Sequence, residues 1–377
     1  MSKSSKYLEE ARGFVRHYTD GLNVRDLRRM FGEDASKAYR VLSRDQDAPP
    51  NDGDGVRGFL RRTKILLIGI SRKLSPARRL IFAASVLATV LGLLGGKELT
   101  LGSASTTISV GTASLYLVTA IAGFAFLFTM ELVDRIRVRD ELEVARQLQA
   151  DLLPKTAPIV PGYAFAHSYR TANEVGGDYY DISVLPDDRV ALVIGDASGH
   201  GIAAGLLMAI ANATLKTALE VDPAPDKVAK LLNSTLYRTG DRRAFMSLFY
   251  ALLEPSTGVL DFVCAGHPFP LLRRRDGSVV ELGSGALPLG MRPELDLPVQ
   301  RAQVGRGEIL LLFTDGLPEA LDGKEESFGF SRLEQLASKG SSASQLHDSV
   351  VSAFKAHVGN RDMADDVTLL VMSRAAD

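Results

Sequence analysis

The sequence predicts an α+β domain behind a pair of apolar segments of bilayer length. Three observations predict it. The C-terminal half alternates short β-like apolar runs with longer helical runs. Neighbouring β-like runs are separated by tight turn signals, Asp187-Asp188, Ser256-Thr257-Gly258 and Arg275-Asp276-Gly277, and such hairpins join antiparallel strands. Upstream, two long apolar segments are bracketed by Arg and Lys. The domain should therefore be antiparallel sheets covered by helices, not a doubly wound parallel sheet.

From the start, residues 1–45 read as helical. Tyr7, Ala11, Phe14, Val15 and Tyr18 form one stripe, and Leu27, Met30 and Phe31 continue it after Gly21. Met1 to Glu10 is polar, so no secretory signal is expected. The Arg- and Lys-rich segment suits either a small cytoplasmic interaction module beside an anionic membrane or a solvated helical pair. Residues 46–58 have linker composition, so the first unit is taken as 1–58.

The membrane region is expected over 59–134, with transmembrane helices at about 80–96 and 113–133. Arg61, Arg62, Lys64, Arg72, Lys73, Arg78 and Arg79 precede the first span, and Arg135, Arg137 and Arg139 follow the second. Positive flanks on both sides predict a hairpin in the plasma (inner) membrane, with a short outside loop and both termini cytoplasmic. The run Ile65 to Ile70 is too short to span and belongs to the interface or to a helix. From Glu131 to Leu153 the pattern becomes a charged helix, ended by Pro154. Val138, Leu142, Ala145, Gln149 and Leu152 give it a seam, suited to a coiled-coil homodimer or to packing on the next domain. Residues 135–157 are thus a helical linker to a domain over 158–377.

In that domain, strands are expected at Tyr163–Tyr169, Tyr179–Leu185, Val190–Gly195, Phe245–Leu253, Val259–Ala265, Pro270–Arg274, Ile309–Thr314 and Val367–Met372. Helices are expected at Gly201–Glu220, Pro225–Thr239, Ser331–Ser338 and Ser344–His357. The formal net charge of −1 gives no whole-chain pull toward nucleic acid. The single cysteine, Cys264, excludes an internal disulfide or a thiolate metal cluster, and its apolar neighbours make it a small core residue.

Acidic residues recur at the ends of the apolar runs. Asp178 follows Gly176-Gly177, Asp196 ends Val193-Ile194-Gly195, Asp315 ends Leu311-Leu312-Phe313-Thr314, and Asp365-Asp366 precedes the last strand. Strand ends hold side chains rigidly, and converging carboxylates without Cys select hard cations such as Mg²⁺ or Mn²⁺. Two such ions remove the carboxylates' repulsion and, sharing a water, lower its pKa enough to supply a hydroxide for attack on a phosphoryl group.

These motifs, in order, resemble a known family. Glu141-Leu142 with Leu148-Gln149 and Leu152-Leu153-Pro154, Val175-Gly176-Gly177-Asp178-Tyr179-Tyr180-Asp181, and Gly195-Asp196-Ala197-Ser198-Gly199-His200-Gly201 come first. Ala265-Gly266-His267-Pro268, Pro288-Leu289-Gly290, Phe313-Thr314-Asp315-Gly316 and Asp365-Asp366-Val367-Thr368 follow. From about Leu142 onward the chain is similar to the SpoIIE-like branch of the PPM-type metal-dependent serine/threonine phosphatases. The resemblance implies an α-β-β-α sandwich of two antiparallel sheets and a site for two Mn²⁺ or Mg²⁺ ions. It implies that Asp196 bridges both ions beside the Ala197 carbonyl, and that Asp315 and Asp365 complete the shell. Asp178 would bind one ion directly or through water, with Asp366 adjacent. Asp196, Asp315 and Asp365 would thereby carry catalysis. The arginine that clamps phosphate in eukaryotic relatives has no firm counterpart, Arg170 being nearest, so metals and backbone amides would hold the phosphate. His200 and His267 each sit beside glycine, which suits structural hydrogen bonds better than general acids.

The branch implies a phosphorylated anti-sigma-factor antagonist, or a similar regulatory phosphoprotein, as substrate, with the helix at 135–155 as transmitter. A module of the same fold that binds a phosphoprotein with little turnover is the alternative. A serine-nucleophile or zinc hydrolase lacks the residue spacing it would need.

Overall fold

The computed structural model describes residues 56–94, 98–103, 106–239, 244–359 and 361–376. The helical segment expected over 1–45, and the linker expected over 46–58 as far as residue 55, lie outside the described residues. The chain divides into two compact units, Met1–Ile136 and Arg137–Asp377.

In the first unit, helix α1 (Val56–Lys73) takes in the Ile65–Ile70 run. Helix α2 (Pro76–Leu93) opens on a proline, whose missing N–H costs nothing in a first turn. Strands β1 (Glu98–Ser103) and β2 (Thr106–Gly111) pair antiparallel. The sequence reading treats that stretch as a simple loop; its β-branched residues Thr100, Thr106, Thr107, Ile108 and Val110 favour extended backbone instead. Helix α3 (Thr112–Leu152) then runs 41 residues without a break, merging the expected second span and the charged helix. No proline or glycine pair interrupts it where the polarity changes near Glu131.

Helices α2 and α3 pack antiparallel through small residues. A Cβ on Gly92 would lie 2.8 Å from Leu117 Cγ, and one on Gly123 would lie 3.3 Å from Ser85 Cβ. At the end of the pair Arg78 Nη1 donates to Asp134 Oδ2 at 2.6 Å. Large apolar side chains elsewhere on both helices face outward; Leu80 is 74% and Phe128 71% exposed.

The second unit holds two five-stranded antiparallel sheets. Strands β3 (Tyr163–Arg170), β4 (Asp178–Val184), β5 (Val190–Ala197), β6 (Met246–Glu254), β7 (Val259–Ala265), β8 (Leu271–Arg273), β9 (Val279–Glu281), β10 (Gln300–Gln303), β11 (Ile309–Phe313) and β12 (Val367–Arg374) form them. One sheet has the order β10-β7-β6-β5-β4, the other β3-β12-β11-β8-β9. The sequence pattern does not predict β9 or β10. Both are short, carry polar residues and lie at sheet edges, where one face and one flank stay wet.

The two-residue period of β11 explains the layering. Leu310 and Leu312 join the core that also contains Ile194, Phe249 and Val263 of the first sheet. Ile309, Leu311 and Phe313 join a second core with Leu333, Leu346, Val350 and Phe354. These last four come from helices α6 (Phe330–Ser338) and α7 (Ala343–Val358), which cover the outer face of the second sheet. Helices α4 (Ile202–Val221) and α5 (Pro225–Thr239) cover the first, burying Ala204, Met208, Ala211, Leu215 and Ala218 at steps of four and three. The architecture is the expected α-β-β-α sandwich. Helix α4 is itself long and apolar enough to cross a bilayer, but it spends its apolar face on this core.

Phe249 is fully buried and packs on Phe262 with ring centroids 5.3 Å apart. Phe249→Ala should lower stability by about 3–5 kcal/mol, read by denaturant unfolding of the full chain in detergent.

Candidate functional site

The antiparallel register of β4 and β5 sets Asp178 directly opposite Asp196. Asp178 is buried, and its Oδ2 accepts hydroxyl hydrogen bonds from Thr314 at 2.8 Å and Thr368 at 2.6 Å. Thr368 belongs to β12 and Thr314 follows β11, so the carboxylate of one sheet is tied to two hydroxyls of the other. Thr314 Oγ1 also accepts from the Thr368 N–H at 3.0 Å. Burial, then the facing Asp196, holds the Asp178 carboxyl well above the ordinary carboxylate range.

Asp196 is partly exposed at the end of β5. Its carboxyl is pushed up to about 8, first by burial and then by the charges of Asp315, Asp365 and Asp366. Asp315 is raised by burial and by Glu319; Asp365 is raised by burial and by Asp315 and Asp366, with His200 acting the other way. The structure therefore brings Asp196, Asp315 and Asp365 into one field of mutual repulsion. Gly316 allows this approach, because a Cβ there would overlap the Asp366 carbonyl oxygen and sit 3.3 Å from Asp365 Cβ.

Asp366 is used differently from its neighbours. Its Oδ1 accepts the Ala172 N–H at 2.8 Å and its Oδ2 the Gly177 N–H at 2.5 Å. Both oxygens are thus engaged by the loop before β4. That loop also leans on Ala197: the Ala197 N–H donates to the Gly177 carbonyl at 3.2 Å. A Cβ on Gly177 would lie 2.8 Å from the Ala197 carbonyl oxygen and 3.0 Å from Asp196 Oδ1. Glycine keeps that space open where the Ala197 carbonyl and the Asp196 carboxylate meet.

The two histidines, alike in the sequence, stand in different surroundings. His267 is buried, and its Nδ1 is 2.9 Å from Ser247 Oγ, on the strand position opposite Asp196. Burial pulls it down to about 3, so it stays neutral at working pH. His200 is exposed in the loop between β5 and α4. Cys264 is buried, donates to the His267 carbonyl at 3.3 Å, and is pushed by burial up to about 11. Arg170 is exposed at the end of β3, opposite Val367.

Three participants escape the sequence reading as site residues. Thr314 and Thr368 lie inside recognised motifs, but nothing local marks their hydroxyls as partners of Asp178. Gln149, on the seam of α3, donates from Nε2 to the Gly176 carbonyl at 2.5 Å and accepts the Gly176 N–H at 3.0 Å. A polar residue on an otherwise apolar seam is the signal that could have found it.

The donor set suits Mg²⁺ or Mn²⁺. It is all oxygen and carries clustered charge, with Asp196 raised by three neighbouring carboxylates and by no basic group, and the Gly177 cradle is left open. Among the described residues no three acidic, histidine or cysteine side chains stand close enough together to hold a metal ion by themselves. Magnesium usually keeps several waters and needs only one or two carboxylates directly.

Comparison with known proteins follows the same lines. A family described as Stage II sporulation protein E (SpoIIE) matches residues 186–375. Protein IcfG of Synechocystis sp. is 26% identical over 276 residues, 66% of this chain and 43% of IcfG, so the chain spans less than half of that relative. Phosphoserine phosphatase RsbU of Bacillus subtilis is 26% identical over 245 residues, 63% of this chain and 71% of RsbU. Among solved structures, the SiaA-PP2C domain of Pseudomonas aeruginosa shares the fold (TM-score 0.56, 21% identity), covering 64% of this chain and 98% of that domain. The RsbU and RsbW domains of Rv1364c from Mycobacterium tuberculosis align with TM-score 0.52 and 28% identity, covering 59% of this chain and 64% of that one.

A carboxyl whose folded-state pKa lies above its unfolded value stabilises the fold at low pH and loses that contribution as pH rises through the folded value. For Asp196 the window runs from about 4, the unfolded value, to about 8. With EDTA present, Tm should fall as pH rises across it, Asp196→Asn should flatten the fall, and Mn²⁺ should restore Tm most at the alkaline end. Thermal melts followed by circular dichroism read all three.

Proposed function

Since this chain belongs to the SpoIIE family, we propose that it is a membrane-anchored serine/threonine protein phosphatase dependent on Mn²⁺ or Mg²⁺. Its substrate is a small regulatory phosphoprotein of the anti-sigma-factor-antagonist type, handled in partner-switching signalling. The observation that carries this reading is the convergence of carboxylates at strand ends: Asp178 stands opposite Asp196 across β4 and β5, and Gly177 leaves open the space bordered by Asp196 Oδ1 and the Ala197 carbonyl oxygen. A repulsive cluster held at rigid strand ends gains most from bound cations. The name of the RsbU relative supports phosphoserine as the reacting group.

When bound, a pair of divalent ions supplies a water of lowered pKa as nucleophile and offsets the charge of the phosphoryl group. The chain's own residues do the rest. Asp196 and the Ala197 carbonyl border one space beside Gly177 and would hold the ions there, and Asp315 and Asp365, whose charges act on Asp196, would complete the set of ligands. Asp178 keeps one oxygen on Thr314 and Thr368 and offers the other directly or through water. Asp366 holds the loop that carries Gly177. The loop after β5 enters α4 through Gly199 and Gly201, both at positive φ, and no side chain caps that helix start, whose first N–H groups would suit an anion.

A phosphoprotein-binding module of the same fold is the competing reading. It is favoured because, among the described residues, no three acidic, histidine or cysteine side chains stand close enough together to hold a metal ion by themselves. Turnover separates the two. Full-length protein with Mn²⁺ should release phosphate from a phosphoserine protein, and Asp196→Ala should lower the rate by more than the about 10–100-fold that loss of an outer-shell partner of a metal ligand costs. Equal rates, or none from wild type, would sink the phosphatase reading.

Anchoring rests on the exposed apolar faces of α2 and α3 and on the flanking arginines. The full chain should stay in the membrane pellet through alkaline carbonate and leave it with detergent. Release by carbonate alone would contradict anchoring.

A further inference from the structure

We propose that Gln149 is a positioning residue for the carboxylate site: its side-chain amide clamps the backbone of Gly176 and thereby fixes where Asp178 begins β4. The proposal rests on the reading above that Asp178 and Asp196 serve a metal-dependent site.

The loop before β4 is buried from Val175 to Gly177, yet it lies outside the strand ladder. Its backbone polar groups need partners from elsewhere. Gly177 finds them in Asp366 Oδ2 and the Ala197 N–H. Gly176 finds both of its partners in one side chain: Gln149 Nε2 donates to its carbonyl at 2.5 Å, and its N–H donates to Gln149 Oε1 at 3.0 Å. A primary amide presents a donor and an acceptor in one plane, so it completes the pair as a neighbouring strand would.

The clamp is enclosed on its other sides. Gln149 is only 5% exposed. A Cβ on Gly176 would overlap Asp366 Oδ2 and the Tyr169 hydroxyl, so the backbone cannot slide that way. A Cβ on Gly205, in the first turn of α4, would overlap Val175 and approach Gln149 Nε2 at 3.8 Å. Asp178 lies two residues beyond Gly176, and Gly177 borders Asp196 Oδ1 and the Ala197 carbonyl. A shift of Gly176 therefore moves Asp178, the Gly177 cradle and the Asp366 anchor together. The substitution most informative here leaves the carboxylates themselves untouched.

The test uses the full chain in detergent micelles with Gln149→Leu, which removes donor and acceptor at similar size. Gln149→Glu keeps the acceptor and loses the donor, and Gln147→Leu, at an exposed neighbouring position, is the control. Three readouts are taken: hydrogen exchange over residues 172–179, Mn²⁺ binding by calorimetry, and p-nitrophenyl phosphate turnover against Mn²⁺ concentration. Gln149→Leu should speed exchange in that segment while β5 and β6 stay protected. It should weaken Mn²⁺ binding about 10–100-fold, the range expected for a residue that orients metal ligands, with turnover largely recovered at saturating Mn²⁺. Gln149→Glu should fall between Gln149→Leu and wild type, and Gln147→Leu should match wild type. Wild-type exchange and an unchanged Mn²⁺ midpoint in Gln149→Leu would overturn the proposal, as would loosening spread evenly over β5 and β6. Should Asp196→Ala leave Mn²⁺ binding and turnover intact, the functional reading is what fails, and the exchange comparison alone then decides whether Gln149 fixes the loop.

Discussion

The buried carboxylate of Asp178 ties the two sheets together at the edge where the site forms. It sits on β4 and takes hydroxyl hydrogen bonds from Thr368 on β12 and Thr314 just beyond β11. These hydroxyl hydrogen bonds offset part of the cost of burying the carboxyl group. The tie sets the separation of the sheets at this end. It therefore sets how Asp196, opposite on β5, stands relative to Asp315 and Asp365, which follow and precede the tied strands.

The arrangement is strained in electrostatic terms. Asp178, Asp196, Asp315 and Asp365 are all held above the ordinary carboxylate range, with burial first among the causes in each. A fold that merely needed polar ends to its strands would not assemble acids in this way. Stability is given up locally, and the hydrophobic layers on both sides of the sandwich compensate for it. Two nearby buried polar groups do not share the strain: His267 is neutral and bonded to Ser247, and Asp181 is paired with Lys216 at 2.5 Å; the buried Tyr169 hydroxyl does share it, raised by burial and by Asp366, Asp178 and Asp196.

Helix α3 carries two different kinds of surface. Its first half exposes apolar side chains such as Val118, Ile121 and Phe128; its last turns bury Gln149 against Gly176. Nothing in the sequence between them breaks the helix, so the change of environment occurs by side-chain chemistry alone. The seam grows more buried toward its C-terminal end, from exposed Val138, through partly buried Leu142 and Ala145, to buried Gln149. The charged helix and the apolar span, which differ so plainly in composition, are one element because backbone hydrogen bonding is indifferent to what faces outward.

Much of this was legible in the chain itself. Alternation and turn signals located β6, β7 and β12 to within two residues, and the four-and-three spacing located α4, α5 and α7. The strand-end aspartates were legible because glycines and an apolar run flank each of them. The short edges β9 and β10 were not, since three or four residues give too little period to read, and β1 with β2 hid in a Ser/Thr/Gly-rich stretch. The sequence by itself determined the fold class, the order of the carboxylates and the kind of cation their oxygens suit, because each follows from residue type and local spacing. Only the tertiary structure decided which oxygen meets which partner. Gln149 reaches Gly176 across 27 positions, Thr314 reaches Asp178 across 136 and Thr368 across 190. Contacts between residues so far apart are made by the packing of whole sheets and helices, and no local pattern encodes them.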